Sequence, residues 1–128
     1  MKTFDLMFCS LGNGTTICDR NREEYGDYKT VAHVAEWGGV HIRDAQLRRD
    51  PEALARVMTY ARRIAAAARD EFMHLPYENQ YRRWYGSMGL SQTIRDRDSW
   101  PVEKSPEWLY SQYIRNSNHW HGYEMPDA

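Results

Sequence analysis

Residues 50–75 read DPEALARVMTYARRIAAAARDEFMHL, and this stretch decides how the rest of the chain must fold. Its apolar residues recur every three or four positions, which predicts a helix with one buried face. Asp50 is placed to cap the helix, and Pro51 suits the first helical position. Nothing interrupts the pattern before Pro76, so the rest of the chain must supply a surface that covers the apolar stripe. The stripe consists of Leu54, Val57, Ala61, Ile64, Ala68, Phe72 and Leu75.

Two β-hairpins are predicted upstream of this helix. Asn13-Gly14 is a strong signal for a two-residue hairpin turn, and Gly38-Gly39 predicts a second one. The first turn would place Cys9 opposite Cys18 as adjacent, reduced thiols, and the second would place Ala35 opposite Ile42. The predicted strands are residues 3–10, 15–19, 28–35 and 40–43. The predicted apolar face of the second hairpin carries Val31, His33, Ala35, Trp37, Val40 and Ile42, with His41 facing away.

The C-terminal half predicts two short, aromatic-rich helices. Residues 77–88 carry aromatic side chains on one side, and Ser105-Pro106-Glu107 repeats the capping pattern of Asp50 for a helix through about Asn116. The fold class is therefore α+β, with an antiparallel sheet of two N-terminal hairpins packed on a long central helix and followed by two short helices. Residues 1–118 are expected to form a single domain, and residues 119–128 a loose tail.

The composition limits the classes of function. The chain has 128 residues, of which 41% are hydrophobic and 27% charged, a balance typical of one globular domain. A net charge of −1 argues against strong nonspecific nucleic-acid binding, and equally against an acidic surface that mimics DNA. No apolar run reaches membrane-spanning length, and the N-terminus has no signal-peptide pattern. We therefore expect a cytoplasmic protein that does not bind membranes.

The sequence contains no recognisable catalytic motif and predicts no cofactor. His119 and His121 would point the same way on an extended segment, and Glu124 is the nearest acidic candidate for a third metal ligand. We interpret both histidines as solvated tail residues. Asp96, Asp98 and Glu103 are interleaved with arginines and are interpreted in the same way, as a solvated charge run.

The aromatic content is the strongest functional signal. Aromatic residues make up 13% of the chain, with five Trp and nine Tyr. Trp, Tyr and Arg are the residues that most often anchor protein interfaces, so their concentration in the C-terminal half predicts a partner-binding surface. Alternatively, the rings complete a small core that has few aliphatic residues, and base stacking is a third use. The candidate partner-binding residues are Arg82, Arg83, Trp84, Tyr85, Arg95, Arg97, Trp100, Trp108 and Trp120.

A second candidate surface is the arginine face of the central helix. Contact with phosphates is its functional interpretation, and a solvated face with ion pairs is the plainer one. Its members are Arg48, Arg49, Arg56, Arg62, Arg63 and Arg69.

Residues 11–42 resemble a pattern in small accessory proteins of phages and conjugative elements. In that pattern an Asn-Gly turn is followed by a polar loop, by Gly-Asp-Tyr-Lys and by a strand containing Ala-His-Ile or Ala-His-Val. The matching residues are Asn13, Gly14, Gly26, Asp27, Tyr28, Lys29, Ala32 and His33. The resemblance implies a genetic setting in which inhibitors of host defence, including anti-CRISPR proteins, are common.

Three hypotheses follow from these observations. The first is a non-enzymatic binding protein that blocks a host defence complex, as an anti-CRISPR protein bound to a Cas effector would. The second is a nucleic-acid-binding accessory or regulatory protein that uses the arginine face. The third is a metal-dependent hydrolase built on His119, His121 and acidic residues. Self-association as a homodimer stays open in all three.

Overall fold

The structure is a computed structural model that describes residues 3–88 and 104–126, apart from the side chains of Leu11 and Trp120. The chain forms two compact units, residues 1–68 with 123–128 and residues 69–122. The predicted fold class is confirmed, because a four-stranded antiparallel sheet is followed by one long and two shorter helices. In the parts of the chain that are described, no helix is both long and apolar enough to cross a membrane.

The first unit contains the sheet and most of the long helix. The strands lie in the order β1-β2-β3-β4, and a 3₁₀ helix at Ala45–Arg49 leads into α1 at Pro51–Met73. The strand bounds are β1 Leu6–Leu11, β2 Gly14–Glu24, β3 Asp27–Val34 and β4 Val40–Ile42. The second unit contains the helices α2 at Tyr77–Ser87 and α3 at Pro106–His121.

Helix α1 begins where the sequence predicts. The side chain of Asp50 accepts a hydrogen bond from the backbone N–H of Ala53 at 3.1 Å, which satisfies one of the free donors of the first turn. Val57 and Ala61 are fully buried in the core of the first unit. The hydroxyl groups of Tyr60 and Thr15 are 2.6 Å apart, so a polar contact also ties α1 to β2.

The predicted packing of the apolar stripe is only partly right. Ile64 packs against the sheet core as expected. Phe72 instead belongs to a second cluster with Tyr81, Trp84 and Leu109, so its predicted place on the sheet is wrong. Ile64 and Phe72 are eight residues apart, or about 12 Å along the helix axis, so the end of α1 contributes to a different core from its middle.

The predicted register of the first hairpin is wrong. Cys9 pairs with Thr16 and Cys18 with Met7, so the two thiols are diagonal neighbours and both are free. The turn consists of residues 12 and 13, and Gly14 is the first residue of β2. A Cβ atom at Gly14 would lie 2.5 Å from the carbonyl oxygen of Val34. This glycine therefore allows β3 to approach closely rather than forming the turn.

The register of the second hairpin also differs from the prediction. Ala32 pairs with Ile42 and His33 with His41, which leaves a connection of residues 35–39 between the strands. Ala35 therefore does not face Ile42, and His33 and His41 share one face. Gly38 has φ of 91° and would bring a Cβ atom within 2.6 Å of the Cα atom of Ala65. Contact with α1 thus determines the position of this glycine, and the predicted two-residue turn does not form.

The C-terminal segment is more ordered than the sequence indicates. Ser105 caps α3 through a bond from the N–H of Trp108 at 3.2 Å, as predicted. The helix continues past Asn116 to His121 and ends at Gly122, whose φ is 70°. Glu124, expected in a loose tail, exchanges two backbone hydrogen bonds of 2.6 and 2.9 Å with Val40.

Candidate binding surfaces

The aromatic residues of the second unit are mostly core residues. Phe72, Tyr81 and Leu109 are at most 1% exposed. The ring of Trp84 lies 5.1 Å from the rings of both Tyr81 and Trp108, in edge-on contacts. Edge-on contacts at this distance are favourable for aromatic pairs. The abundance of rings in this half of the sequence therefore reflects, in large part, how its core is filled.

The predicted partner-binding residues of α2 and α3 fall into two groups. Trp84 is 8% exposed and belongs to the core. Tyr85 and Trp108 are half-buried, and the Lys104 ammonium group lies 4.9 Å from the centre of the Trp108 ring. The charged candidates Arg82 and Arg83 are exposed, and Arg83 forms a 3.4 Å ion pair with Glu71.

The remaining predicted candidates are not tested by the geometry. Arg95, Arg97 and Trp100 lie outside the described residues, as do the acidic residues 96, 98 and 103. Trp120 belongs to α3, but its side chain is not among those described.

The arginines of the central helix region differ in their partners. Arg48 pairs with Glu124 at 2.6 Å, and Arg69 lies over the ring of Tyr110. Arg49, Arg56 and Arg63 are exposed and form no ion pair with any residue the structure describes. Of the predicted arginine face, these three cations, spaced seven residues apart, form no ion pair in the described part of the chain, although Arg56 lies 5.7 Å from the centre of the Phe8 ring. Arg62 is exposed as well.

The histidines do not form the predicted arrangement. His119 and His121 lie on α3, where residues two apart are separated by about 200° around the axis. They therefore diverge, whereas an extended segment would point them the same way. Within residues 3–88 and 104–126, no group of three or more His, Cys, Asp or Glu side chains is placed to hold a metal ion.

His33 and His41 form a different cluster, with the ring of Tyr123. The Nδ1 atom of His33 is 2.9 Å from the Tyr123 hydroxyl group. The Tyr123 ring also meets the rings of His41 and Trp37 edge-on. Burial, and secondly the charge of His41, lower the pKa of His33, which favours its neutral form. We interpret this cluster as the contact that holds residues 123–126 against the sheet.

The turn between β2 and β3 presents an aromatic side chain that sequence reasoning missed. We call residues 23–28 the β2–β3 tip. Tyr25 is 98% exposed and has φ of 55°, and Tyr28 is 41% exposed. They are the exposed large apolar side chains in the described part of the chain. Glu23, Glu24 and Asp27 make the tip acidic. The available signal was a tyrosine directly before a turn glycine in a polar loop.

A buried carboxylate holds the base of this hairpin. Between Asp19 and Glu23, β2 carries three residues that β3 does not match. Asp19 is fully buried and accepts hydrogen bonds from the N–H groups of Asp5 and Asn21, both at 3.0 Å, and from Arg22 at 2.7 Å. Burial would raise the pKa of Asp19, but these bonds outweigh it, and the pKa lies below its usual value.

Arg22 extends this network to a second acidic residue. Its guanidinium group is 2.9 Å from the Asp44 carboxylate and lies 4.6 Å from the centre of the Phe4 ring. Asp44 also caps the 3₁₀ helix by accepting a bond from Gln46 at 3.0 Å. Hydrogen bonds and an ion pair of Asp19 and Arg22 thus hold the irregular part of β2 in place at the base of the exposed tip.

Comparisons with protein families, with characterised proteins and with solved structures give no match. The function must therefore be inferred from these residues themselves.

Proposed function

We propose that the protein is a non-enzymatic binding protein that inhibits a host defence complex by binding one of its protein components. The observation that supports this proposal is the exposed ring of Tyr25 at the β2–β3 tip. The resemblance of residues 11–42 to accessory proteins of mobile elements supplies the setting, and a Cas effector is the first target to test.

The exposure of Tyr25 is difficult to explain by folding alone. A side chain that is 98% exposed adds almost no buried area to the fold. The left-handed backbone at Tyr25 costs about 1–2 kcal/mol for a residue other than glycine. Tyrosine is enriched among the residues that contribute most to binding at protein interfaces. An exposed ring that lowers the stability of the fold is therefore consistent with a role in contact with a partner.

The charge of the tip indicates the chemistry of the partner. Glu23 and Asp27 form no ion pair with a described residue, and Glu24 has only a 3.6 Å contact with Arg43. An acidic, aromatic tip is complementary to a basic protein surface. The net charge of the whole chain is only −1, so the acidic character is confined to the tip and does not amount to a surface that mimics DNA. The nucleic-acid-binding channels of CRISPR effectors are basic surfaces that such a tip could contact.

The second unit is proposed to carry a separate contact surface of its own. Trp108 and Tyr85 keep part of their surface exposed, and Arg82 is exposed nearby in sequence. Arg95, Arg97, Trp100 and Trp120 stay predicted members of this surface. Trp84 is better interpreted as a core residue, since 8% of its surface is exposed.

The test is binding to a panel of purified Cas effectors, together with a plasmid-interference assay in cells that carry the matching system. Tyr25→Ala is expected to weaken binding by about 2 kcal/mol, or roughly thirtyfold, without lowering the melting temperature. Tyr25→Phe is the matched control, because it keeps the ring and should retain most of the affinity. Equal affinity of Tyr25→Ala and wild-type protein for a bound effector would contradict the role of the tip, and failure to bind any effector would contradict the target.

Salt dependence distinguishes this proposal from nucleic-acid binding by the helix arginines. Phosphate contacts release counterions, so affinity for nucleic acid falls steeply as salt rises. The acidic side chains of the tip make its binding to a basic surface sensitive to salt as well, but an interface centred on an aromatic ring should lose less affinity between about 50 and 200 mM salt than phosphate contacts do.

A further inference from the structure

No described strand pairs with the outer edge of β1. β1 is the first strand in the sheet order and, among the described residues, pairs only with β2. The opposite edge, at β4, is met by Glu124. Edge strands carry unpaired N–H and C=O groups that can template a further strand. β1 is six residues long, which is enough for several such bonds.

The register shows which residues present their backbone groups to this edge. The carbonyl oxygen of Asp5 accepts the N–H of Arg20 at 2.8 Å, so position 5 faces β2. Backbone groups alternate in direction along an antiparallel strand. Leu6, Phe8 and Ser10 therefore direct their N–H and C=O groups outward, and their side chains share the face that packs on α1.

A groove runs beside this edge, between β1 and α1. One cavity of about 520 Å³ lies against Phe8, Arg56, Thr59 and Tyr60. A second, of about 690 Å³, lies against Phe4, Leu6 and the start of α1. Glu52 and Arg56 line both cavities, so the two lie next to each other along α1. A strand added to β1 would direct every second side chain into this groove.

The groove has a basic character. Arg49 and Arg56 line the cavity beside the first turn of α1, and Arg56 and Arg63 line the cavity beside Phe8. None of the three forms an ion pair with a described residue, and all are exposed. Glu52 lines both cavities, and Asp50 lines the larger of the two with its carboxylate engaged in capping α1. An incoming acidic side chain would therefore meet three arginines that form no ion pair in the described part of the chain, of which Arg56 also lies 5.7 Å from the centre of the Phe8 ring.

We propose that the groove between β1 and α1 binds an extended, acidic segment of another protein by strand addition to β1. This mode supplies affinity through backbone hydrogen bonds and specificity through the side chains that enter the groove. A second copy of this chain fits less well, because pairing β1 with itself would bring Arg56 and Arg63 of both copies to one seam. The groove is distinct from the β2–β3 tip, so the proposal goes beyond the function proposed above.

The probe is a labelled eight-residue peptide of alternating valine and glutamate with both ends capped, measured by fluorescence anisotropy. The same peptide with lysine in place of glutamate is the charge control. We expect the glutamate peptide to bind at least tenfold more tightly than the lysine peptide. Arg56→Glu and Arg63→Glu should each weaken binding of the glutamate peptide by at least tenfold. Arg115→Glu, an equal charge change at an exposed helix position on α3, should leave it unchanged.

The open edge is tested separately. Ser10→Pro removes one outward N–H group, whereas Ser10→Ala removes only the hydroxyl group and is its matched control. We expect the proline variant to lose peptide binding and the alanine variant to keep it. If the proline variant does not fold, the open edge can be tested on the wild-type protein with N-methylated peptides. N-methylation of alternate peptide residues removes the N–H groups along one edge of the peptide, and loss of binding is again the readout. One of the two methylation patterns should abolish binding.

Three results would overturn the proposal. The first is a wild-type protein that binds neither peptide. The second is displacement of the glutamate peptide by a short single-stranded oligonucleotide, which would assign the arginines to nucleic acid. The third is a stable dimer that dissociates on Ser10→Pro, which would assign the edge to a second copy of the chain.

Discussion

The two units fill their cores with different kinds of side chain. In the first unit, aliphatic residues such as Ile17, Val34 and Val57 are fully or almost fully buried between the sheet and α1. In the second, Phe72, Tyr81 and Trp84 take their place. The most exposed ring lies in the first unit, where aromatic residues are fewer. Aromatic abundance in a sequence therefore marks the core as readily as the surface.

Size explains the difference. An aromatic side chain buries about 150–250 Å², so a few rings can complete a core that two short helices could not fill with smaller residues. Helices α2 and α3 have 11 and 16 residues, and no strand is described in their unit. The sheet of the first unit offers a broad surface, on which branched aliphatic side chains pack well. The following predictions test this contrast, beginning with the largest effect.

The aromatic core should be sensitive to loss of a single ring. Phe72→Ala is expected to lower the free energy of unfolding by about 3–5 kcal/mol, because the ring is 1% exposed and lies 5.8 Å from Tyr113 in a stacked arrangement. Urea unfolding followed by near-ultraviolet circular dichroism measures it. Phe72→Leu keeps most of the volume and should cost about 1 kcal/mol. An unchanged midpoint in the alanine variant would show that this core does not depend on the ring.

The first unit should be sensitive to added volume where its loop meets α1. Gly38→Ala should lower the free energy of unfolding by about 3 kcal/mol, because the new methyl group would overlap Ala65 and the backbone has a positive φ. Gly26→Ala is the matched control. Gly26 also has a positive φ, of 79°, but no atom lies within 4 Å of a Cβ atom built there. The Gly26→Ala substitution should therefore lower the free energy of unfolding by only about 1 kcal/mol. Equal losses in thermal melts would mean that the contact with α1 is not tight.

The buried carboxylate should make part of the stability depend on pH. Asp19→Asn is expected to cost about 2 kcal/mol at pH 7, because the amide loses the charged bond to Arg22. The pKa of Asp19 is lowered in the folded state, so its contribution is present above the unfolded pKa and is lost as pH falls through the folded pKa. The difference in stability between wild type and variant should shrink below about pH 4. A difference that stays constant from pH 7 to pH 2 would show that the charged form of Asp19 does not stabilise the fold.

The exposed ring of the first unit should matter least for stability. Tyr25→Asn is expected to raise the free energy of unfolding slightly, by about 0.5 kcal/mol, since asparagine tolerates the left-handed backbone better. Differential scanning calorimetry is sensitive enough to detect the change. A loss of more than about 1 kcal/mol would show that the ring packs against the fold after all.

Local signals in the sequence were sufficient for the helices and for the existence of the strands. The caps at Asp50 and Ser105 form as their residue types predict. The strand registers could not be derived in this way, because they depend on contacts between residues distant in sequence. Gly14 is placed by β3, and Gly38 by Ala65. The sequence pattern predicts that each glycine forms a turn. In the structure, the missing side chain instead allows another element to pack closely against the backbone of the glycine.

The candidate binding surfaces show the same limit. Whether a ring such as Trp84 or Tyr25 is buried depends on the packing of distant elements, which no local pattern encodes. A polar loop with Tyr before Gly was visible in the sequence, but its exposure was not. That Arg56 and Arg63 form no ion pair with a described residue likewise follows from where acidic residues lie after folding.

The pairing of Val40 with Glu124 has a consequence for the order of folding. The β1–β2 hairpin closes a two-residue turn and can form within about 1–10 μs. The contact between residues 40 and 124 closes a loop that contains the whole second unit, and the entropy of that closure must be lost before the contact forms. A folded second unit shortens this loop, so the contact should form last and open first. In hydrogen-exchange experiments, the amide protons of Val40 and Glu124 should exchange before those of the β1–β2 ladder.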